Sequence, residues 1–557
     1  MNLPSAGCLG LMLCALAGAA AADDECTIRL TDVTAATGIE FRHTDGATGE
    51  YYIVESVVAG LALFDYDGDG LIDIYFTNGS PVGRDTAGER PRDALYRNNG
   101  DWTFTDVTER AGVGDQGFGL GVTVADYDND GDQDLYLNNF GPNVLYRNNG
   151  DGTFSDATTL AGVDRGSRVG AGACFLDIDA DGDLDLYAAS YVDFQPEKNV
   201  VRMVGPHRFH PGPADFPPMR DYLFRNNGDG TFADASEAAG IAAVSGAGMG
   251  MISFDCDDDG DSDVFVCNDH GANFLFLNDG RGQFTEMALA SGLAFDLYGN
   301  ANGHMAPDCG DYNGDGLLDI YVTDYASQMP ILYHNLGGGL FEDATRAARA
   351  GSGAFPHVKW GTGFVDFDLD GDADLFVATG HFMDNLRFID DRTSPELRNI
   401  LLMNSGDGKF IDVSSRSGSG LEVVASSRGA GFDDLDNDGD VDVAILNSND
   451  RPTILRNDSP TGNRWLQVAL RGVSANRDGV GARVRLTAGG RTQVAEVHSG
   501  RGYQGHFGSR LTFGLAGAAR VDRIEVRWLG GARDVFTNIP ANRLIVLTEG
   551  TSQTDRE

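Results

Sequence analysis

Short apolar runs broken by polar stretches recur along most of the chain, and their period is that of strands rather than helices. Gly119-Leu-Gly-Val-Thr-Val-Ala125 is a glycine-rich run, followed after a polar stretch by Leu135-Tyr-Leu-Asn138. Val144–Phe154 then reads as two strands joined by an Asn-Gly-Asp-Gly turn, the turn chemistry of a hairpin. Asp156-Ala-Thr158 and Ala161-Gly-Val163 close the unit. Four short strands in ~50–60 residues is the size of a propeller blade. The hairpin phrase returns as Leu95-Tyr-Arg-Asn-Asn-Gly100, Leu223-Phe-Arg-Asn-Asn-Gly228, Leu275-Phe-Leu-Asn-Asp-Gly280, Leu332-Tyr-His-Asn335 and Leu401-Leu-Met-Asn-Ser-Gly406. Its last copy, Ile454-Leu-Arg-Asn457, runs into Asp458-Ser-Pro460 with no following strand, while Leu30-Thr-Asp-Val-Thr34 stands alone near the N-terminus as an orphan of that strand. The pattern predicts an all-β fold: a seven-bladed propeller over residues 28–457 whose N-terminal strand completes the last blade. A ring closed by its own ends leaves few exposed strand edges.

Residues 458–463 are a polar Pro/Gly linker, after which the pattern changes. Trp465–Leu470, Ala482–Leu486, Gln493–Val497, Leu511–Leu515, Ile524–Trp528 and Leu544–Thr548 alternate apolar and polar residues. They predict a small antiparallel β domain of about six strands over 464–550, followed by a disordered tail, 551–557.

Between the first and second strands of each repeat lies an acidic nine-residue frame. Asp126, Asp128, Asp130 and Asp134 put side-chain oxygens at positions 1, 3, 5 and 9, with Gly131 at position 6. The same frame gives Asp65, Asp67, Asp69 and Asp73; Asp177, Asp179, Asp181 and Asp185; and Asp255, Asp257, Asp259 and Asp263. It continues with Asp311, Asn313, Asp315 and Asp319; Asp366, Asp368, Asp370 and Asp374; and Asp434, Asp436, Asp438 and Asp442. Carboxylates this close repel one another unless a cation lies between them. Hard oxygen ligands at alternating positions suit Ca²⁺, and the glycine permits the turn around the ion. Position 12, a glutamate in an EF-hand, is apolar here (Phe76, Leu137, Val322, Ile445), so the frame is a strand–loop–strand site. Up to seven Ca²⁺ ions are expected; the plainer alternative is a set of acidic turns.

Composition sharpens this picture. The 557 residues carry a net charge of −43. From Asp458 onward there are 14 Arg against 9 acids, whereas the preceding part holds 27 basic against 75 acidic residues. A body this acidic repels nucleic acid and anionic membrane, and the positive C-terminal part could face an anion or the propeller itself. Residues 1–22, with the apolar core Cys8–Leu16 and Ala20-Ala21-Ala22 before Asp23, have the form of a secretory signal without its basic start. No later run is long enough to span a bilayer. Secretion is therefore expected. Cys26, Cys174, Cys256, Cys267 and Cys309 would remain, an odd number read as mostly buried free thiols, with calcium rather than disulfides as the staple.

The Asp loops preceded by Gly-rich strands resemble FG-GAP/VCBS repeats, as in integrin α-chain propellers. Asn476-Arg-Asp-Gly-Val-Gly-Ala-Arg483, Gly500-Arg-Gly-Tyr503, Phe513-Gly-Leu515 and Val526-Arg-Trp528 are similar to the ASPIC/UnbV module that follows such repeats in the cartilage acidic protein-like family. Leu529-Gly530 departs from the Pro-Ser-Gly that often follows the Trp there. The resemblance covers essentially the whole mature chain and implies an extracytoplasmic calcium-binding propeller, without implying a defined activity.

If the loops carry calcium on one end of the ring, the remaining connections lie at the other. His270 and His381 fall just past second strands; His304 and His357 fall just before first strands, joined by Lys359 and Trp360; His207 and His210 lie in the long insertion Asp193–Asp221. Long loops of this kind are often functional, and such a cluster could bind an anionic sugar, a peptide or a transition metal. The alternative is that these are ordinary loop histidines pointing in different directions. No nucleophile elbow, HExxH, P-loop or Cys-pair metal motif is present. A secreted module that binds a protein or a glycan is therefore favoured over an extracytoplasmic carbohydrate-active enzyme of lyase or dehydratase type, which the fold would also support.

Overall fold

The computed structural model describes residues 26–83, 90–164, 166 and 168–552; the signal segment 1–22 and most of the expected tail lie outside the described residues. Among the described residues, seven four-stranded antiparallel meanders share one plan. The first consists of Leu61–Phe64, Asp73–Phe76, Ala94–Asn98 and Phe104–Asp106. The last consists of Ser427–Asp433, Asp442–Asn447, Thr453–Asn457 and the N-terminal strand Leu30–Asp32. Leu30 lies opposite Asn457 and Asp32 opposite Leu455 in that pairing. The second and third meanders also join edge to edge, with Val169 opposite Phe140.

The first strand of each meander packs beside the first strand of the next, and Ser427–Asp433 packs beside Leu61–Phe64, so the meanders close into a β-propeller ring. These inner strands run so near the axis that side chains are excluded at several places. A Cβ on Gly121 would stand 1.9 Å from the Ala171 carbonyl oxygen. This crowding accounts for the glycine-rich character of the first strands. Bulky residues of inner and outer strands form apolar clusters that fill the spaces between neighbouring meanders, as with Phe64, Tyr75, Val122 and Leu137 between the first and second.

The C-terminal part forms two sheets. One orders Leu511–Ala516, Arg464–Arg471 and Leu544–Thr548; the other orders Arg491–Glu496, Arg483–Ala488, Arg520–Arg527 and Arg533–Pro540. Two features differ from the sequence expectation. Arg533–Pro540 is a seventh strand, whose apolar positions are too few to mark it. Arg464–Arg471 and Leu544–Thr548 pair in parallel, Val468 opposite Ile545, because they are joined through the whole module rather than by a hairpin. The core between the sheets, with Val468, Val484, Ile524 and Trp528, is continuous with that of the second and third meanders at Phe175 and Tyr136.

Ser499–Phe507 leaves this module as a narrow hairpin, with Arg501 N donating to the Gly505 carbonyl at 2.9 Å, and enters the ring's centre. It touches every inner strand. His506 exchanges backbone hydrogen bonds with Leu61 and Leu63, Val122 N donates to the Gln504 carbonyl, and Gly502 N to the Pro307 carbonyl. Ser499 Oγ donates to the Val124 carbonyl and bridges Phe175, and His498 Nδ1 donates to the Ser253 carbonyl. Tyr503 packs on Trp360 and Phe507 on Phe432.

Candidate cation loops and the opposite end of the ring

The Asp loops are built by their own backbone. In the second loop, Asp126 accepts N–H from Asp130 and Gly131 at 3.0 and 2.8 Å. Gly131 has φ +106°, a conformation that suits glycine. Asp134 accepts from Tyr127 N and Asn148 N at 3.1 and 2.7 Å, and Asp130 accepts from Asp132 N at 3.0 Å. Positions 1, 5 and 9 are thus aimed inward by local donors. Position 3 is different. One buried carboxylate oxygen each of Asp67, Asp128, Asp179 and Asp257 has no hydrogen-bond partner. In the first loop, Arg97 Nε holds the other oxygen of Asp67 at 2.6 Å, and Arg225 does the same for Asp179.

Carboxylates of Asp65, Asp67 and Asp73 offer oxygens within 4.8 Å of one another, as do Asp126, Asp128 and Asp134, Asp177, Asp179 and Asp185, Asp255, Asp257 and Asp259, and Asp366, Asp368 and Asp374. Burial pushes Asp73 and Asp185 up to about 8, and burial followed by the neighbouring Asp478 pushes Asp126 up to about 7. Converging hard oxygens, with one unpartnered position-3 oxygen in four of the loops, could hold a metal ion. The fifth loop departs from the rest. Asn313 replaces the position-3 acid, and His334 stands over the loop with Nδ1 2.9 Å from Asp319.

The C-terminal module lies across this end of the ring. Gln467 donates to Asp434 at 2.9 Å, and Asp478 accepts from Asp126 N at 2.8 Å. Arg527 pairs with Asp255 and, at 3.1 Å, with Asp258; Arg491 pairs with Asp372 at 2.5 Å. Arg510 donates to Asn437 and to the Gly70 carbonyl, both at 2.8 Å. The positive C-terminal part therefore faces the propeller itself, which the charge count left open.

The six histidines singled out from the sequence lie away from the Asp loops, at strand starts, past second strands or in the insertion, and divide by exposure. His304 and His381 are buried, and burial pushes them down to about 4 and about 3. Lys359 is fully buried, with Asp324 at 3.0 Å and the Tyr325 and Gln328 carbonyls at 3.0 and 2.7 Å, so its three donors are used within the chain. Trp360 is buried and donates to the Gly380 carbonyl at 2.7 Å. His304, Lys359 and Trp360 sit at β-bulges, between His304 and Pro307 and between Lys359 and Thr362, that turn strand starts toward the core, and His381 follows the strand Asp374–Thr379. His207, His210, His270 and His357 are at or near the surface. The structure brings together His207, stacked on Phe388 with ring centres 3.7 Å apart, and His210, 3.6 Å from Glu55 and edge-on to Phe382. His381 also meets Phe382, whereas His270 and His357 stand apart, His357 beside Thr393 at 3.1 Å. The insertion hairpin Arg202–Val204 and His207–Phe209 thus reaches from the third meander to the sixth. Around it Val201, Met203, Val204, Phe388 and Ile389 are exposed.

One set of residues with a structural task escaped the sequence reading. The asparagine that ends each third strand donates twice through its side chain, within its own meander and to the preceding loop: Asn148 to the Tyr66 carbonyl, Asn226 to Tyr127, Asn335 to Cys256, all at 2.8–3.0 Å. The signal was present, since Asn recurs at this place in every copy of the hairpin phrase.

Residues 65–137, 126–188, 255–322 and 311–377 match the FG-GAP-like repeat, and residues 472–554 match ASPIC and UnbV. With the ring, its acidic loops and the capping module in place, the chain carries FG-GAP-like repeats followed by a C-terminal ASPIC and UnbV domain. Its relatives include cartilage acidic protein 1. The Homo sapiens protein is 29% identical over 437 residues, 75% of this chain and 60% of that protein. The Mus musculus protein is 28% identical over 435 residues, 75% and 62%, and the Xenopus tropicalis protein 26% over 360 residues, 61% and 51%. The chain spans about half to three-fifths of the length of these relatives. Among solved structures, BBS1N in complex with ARL6DN has a TM-score of 0.41 at 9% identity, over 76% of this chain and 96% of that chain. An Agrocybe aegerita protein that recognises terminal N-acetylglucosamine has a TM-score of 0.37 at 19% identity, over 65% and 82%.

Proposed function

We propose that the protein is a secreted, calcium-stapled interaction module that recognises a protein or glycan through the end of the ring opposite the Asp loops. In this reading residues 28–457 are the recognising ring and 464–550 its cap. The observation that carries it is the covering of the loop end by Gln467, Asp478, Arg491, Arg510 and Arg527. A partner cannot reach the loops without displacing the cap, whereas the other end presents exposed apolar residues around His207. Exposed apolar residues grouped in this way mark interaction sites.

Calcium has a structural task in this reading: it neutralises the converging carboxylates and holds each first strand to its second. The unpartnered oxygens of Asp67, Asp128, Asp179 and Asp257 support it. The same reading calls for an extracytoplasmic location, since modules of this kind bind Ca²⁺ with Kd of about 10⁻⁴–10⁻³ M, a level that cytosolic calcium does not reach.

The test is an array of extracellular proteins and glycans, probed with the full chain in millimolar CaCl₂. Binding is expected to be lost in Met203→Asp and Phe388→Asp and kept in Arg520→Ala, on the cap. Hits that ignore both ring substitutions would place recognition elsewhere, and absence of calcium uptake in equilibrium dialysis would remove the staple.

A further inference from the structure

Six residues before the first Asp of each loop, the chain places Ala59, Leu120, Ala171, Met249, Met305 and Trp360. All of these are at most 2% exposed. The seventh member of the series is Arg428, 1% exposed. Its Nη1 donates to Ser426 Oγ and the Ser427 carbonyl, both at 3.0 Å; its Nε is buried with no partner; and among the described residues no carboxylate pairs with it. Asp45, whose charge reaches it, is partly exposed and engaged by Ala47 N at 2.9 Å and Asn449 Nδ2 at 2.7 Å. Burial brings Arg428 down to about 10, so it is still charged at neutral pH. A buried charge of this kind is costly unless it is paired.

Trp360 answers only part of it. The guanidinium lies 4.3 Å from the Trp360 ring centre, a favourable contact with the cation's face, but the N–H donors point outward in the guanidinium plane. His43 adds a second open donor. Its Nδ1 accepts from Asn449 N at 3.2 Å, which puts the proton of the neutral ring on Nε2, and Nε2 is buried with no partner. Burial and then the Arg428 charge hold His43 down to about 3, so the ring is neutral and within reach of that charge. Two buried N–H donors, one of them on a cation, therefore have no acceptor in the chain.

A water molecule could accept from both, but it brings no charge. Sulfate or phosphate brings more charge and more oxygens than these donors answer. The burial of Arg428, Trp360 and His43 closes the place to an organic acid. An atomic anion meets all three conditions.

We propose that Arg428 and His43 hold a halide ion of the chloride type inside the ring. The ion braces the ring's closure, because His43 precedes the first meander and Arg428 belongs to the last; the backbone N of His43 already donates to the Asp450 carbonyl of that meander at 3.0 Å. The site requires neither cations in the Asp loops nor a partner on the exposed surface, so it stands or falls apart from the reading above.

The experiment is a series of thermal melts of the full chain in saturating calcium gluconate, with sodium gluconate exchanged for NaCl, NaBr or sodium acetate at constant ionic strength. The melting temperature is expected to rise saturably with chloride and bromide and not with acetate. Arg428→Met is expected to lose that rise entirely while keeping its calcium-dependent rise, and to be no less stable than the wild type in gluconate, since it removes an unpaired charge. His43→Phe is expected to raise the half-saturating chloride concentration about tenfold, the loss of one hydrogen bond. Crystals of the wild type soaked in NaBr should show the anomalous signal of bromine beside Arg428 Nε, which keeps the proposal open to test should Arg428→Met fold poorly. The same chloride dependence in Arg428→Met, an equal rise with acetate, or soaked crystals with no such signal beside Arg428 overturns the proposal.

Discussion

Asn98 reaches across the closure of the ring: its side-chain N–H donates to the carbonyl of Leu435 at 2.7 Å, and also to Ile72 at 3.0 Å. Leu435 lies 337 positions later, in the seventh Asp loop, so this contact ties the first meander to the last. Asn457 makes the equivalent bond to the Phe367 carbonyl at 2.8 Å. Each loop therefore holds its own acids by backbone donors and its neighbour by one asparagine.

Asn98→Leu should open the ring at its seam. It removes both donors and leaves two buried carbonyls unanswered, a cost of about 1–3 kcal/mol each. Denaturant melts should show a lower midpoint than Asn149→Ala, whose side chain bonds to Thr153 and Ser155 at the surface. Equal midpoints would mean that the inter-meander bond contributes nothing.

Asp128→Ala isolates the cation contribution of one loop. One of the two oxygens it removes has no partner in the chain, and the carboxylate is repelled by Asp130, so stability in chelator should stay level or rise as a repelling charge is lost. In calcium the variant should bind one ion fewer. At ten times Kd one site is worth RT ln 11, about 1.4 kcal/mol, and chelation should remove the share of every filled loop. Equal melting temperatures in calcium and in chelator would make the loops plain acidic turns.

How far these features could be read in advance depends on their range. The acidic frame is legible because ligands around one ion must be close in sequence, as Asp126 to Asp134 are. The orphan strand Leu30–Thr34 is legible because a repeat makes its own gaps visible. The parallel pairing of Arg464–Arg471 with Leu544–Thr548 is not, since alternation marks a strand but not its partner. Nor is the burial of Gly500-Arg-Gly-Tyr503, which has the composition of an exposed turn and is covered only because a ring built from earlier residues encloses it. Lys359 looked like a ligand-facing cation for a similar reason: Asp324 and the Tyr325 and Gln328 carbonyls that use its donors belong to another meander.

Acid should weaken the calcium-loaded protein through its buried histidines. Burial holds His43, His381 and His506 down to about 3 and His304 to about 4. In the unfolded chain these rings titrate near ~6.5. Between about pH 6.5 and 4 the unfolded state takes up protons that the folded state refuses, so stability falls as pH falls, by up to ~1.4 kcal/mol per pH unit for each ring. In chelator an opposing slope enters. Asp73, Asp185 and Asp126, raised to about 8, 8 and 7, keep protons that the unfolded chain releases near ~3.9. That contribution is lost as pH rises toward 8. Melts from pH 4 to 8 should therefore show a steeper rise with pH in calcium than in chelator, and identical profiles would contradict the assignment.

Arg501 should bind cap and ring into one cooperative unit. Its Nε donates to Asp308 at 2.7 Å, its guanidinium lies 4.8 Å from the Phe507 ring centre, and Asp308 is fully buried at the ring's centre. Asp308 also accepts from Phe364 N at 2.7 Å, so the pair joins the central hairpin to the fifth and sixth meanders. Removing one partner of a buried ion pair leaves the other charge unanswered, at about 3–5 kcal/mol. Arg501→Ala should therefore cost far more than Tyr503→Phe, which loses a single hydrogen bond to the Val57 carbonyl, about 1 kcal/mol. Arg501→Met combined with Asp308→Leu should recover much of the loss, because it removes both charges together. Calorimetry of the wild type should give one transition for ring and cap. Arg501→Ala should split it in two, the cap leaving first, since Ser499–Phe507 touches every inner strand and nothing else in the cap enters the axis so deeply. A single, merely shifted transition in Arg501→Ala would mean that the contacts of Arg483, Arg491 and Arg527 with the Asp loops are enough to hold the two parts together.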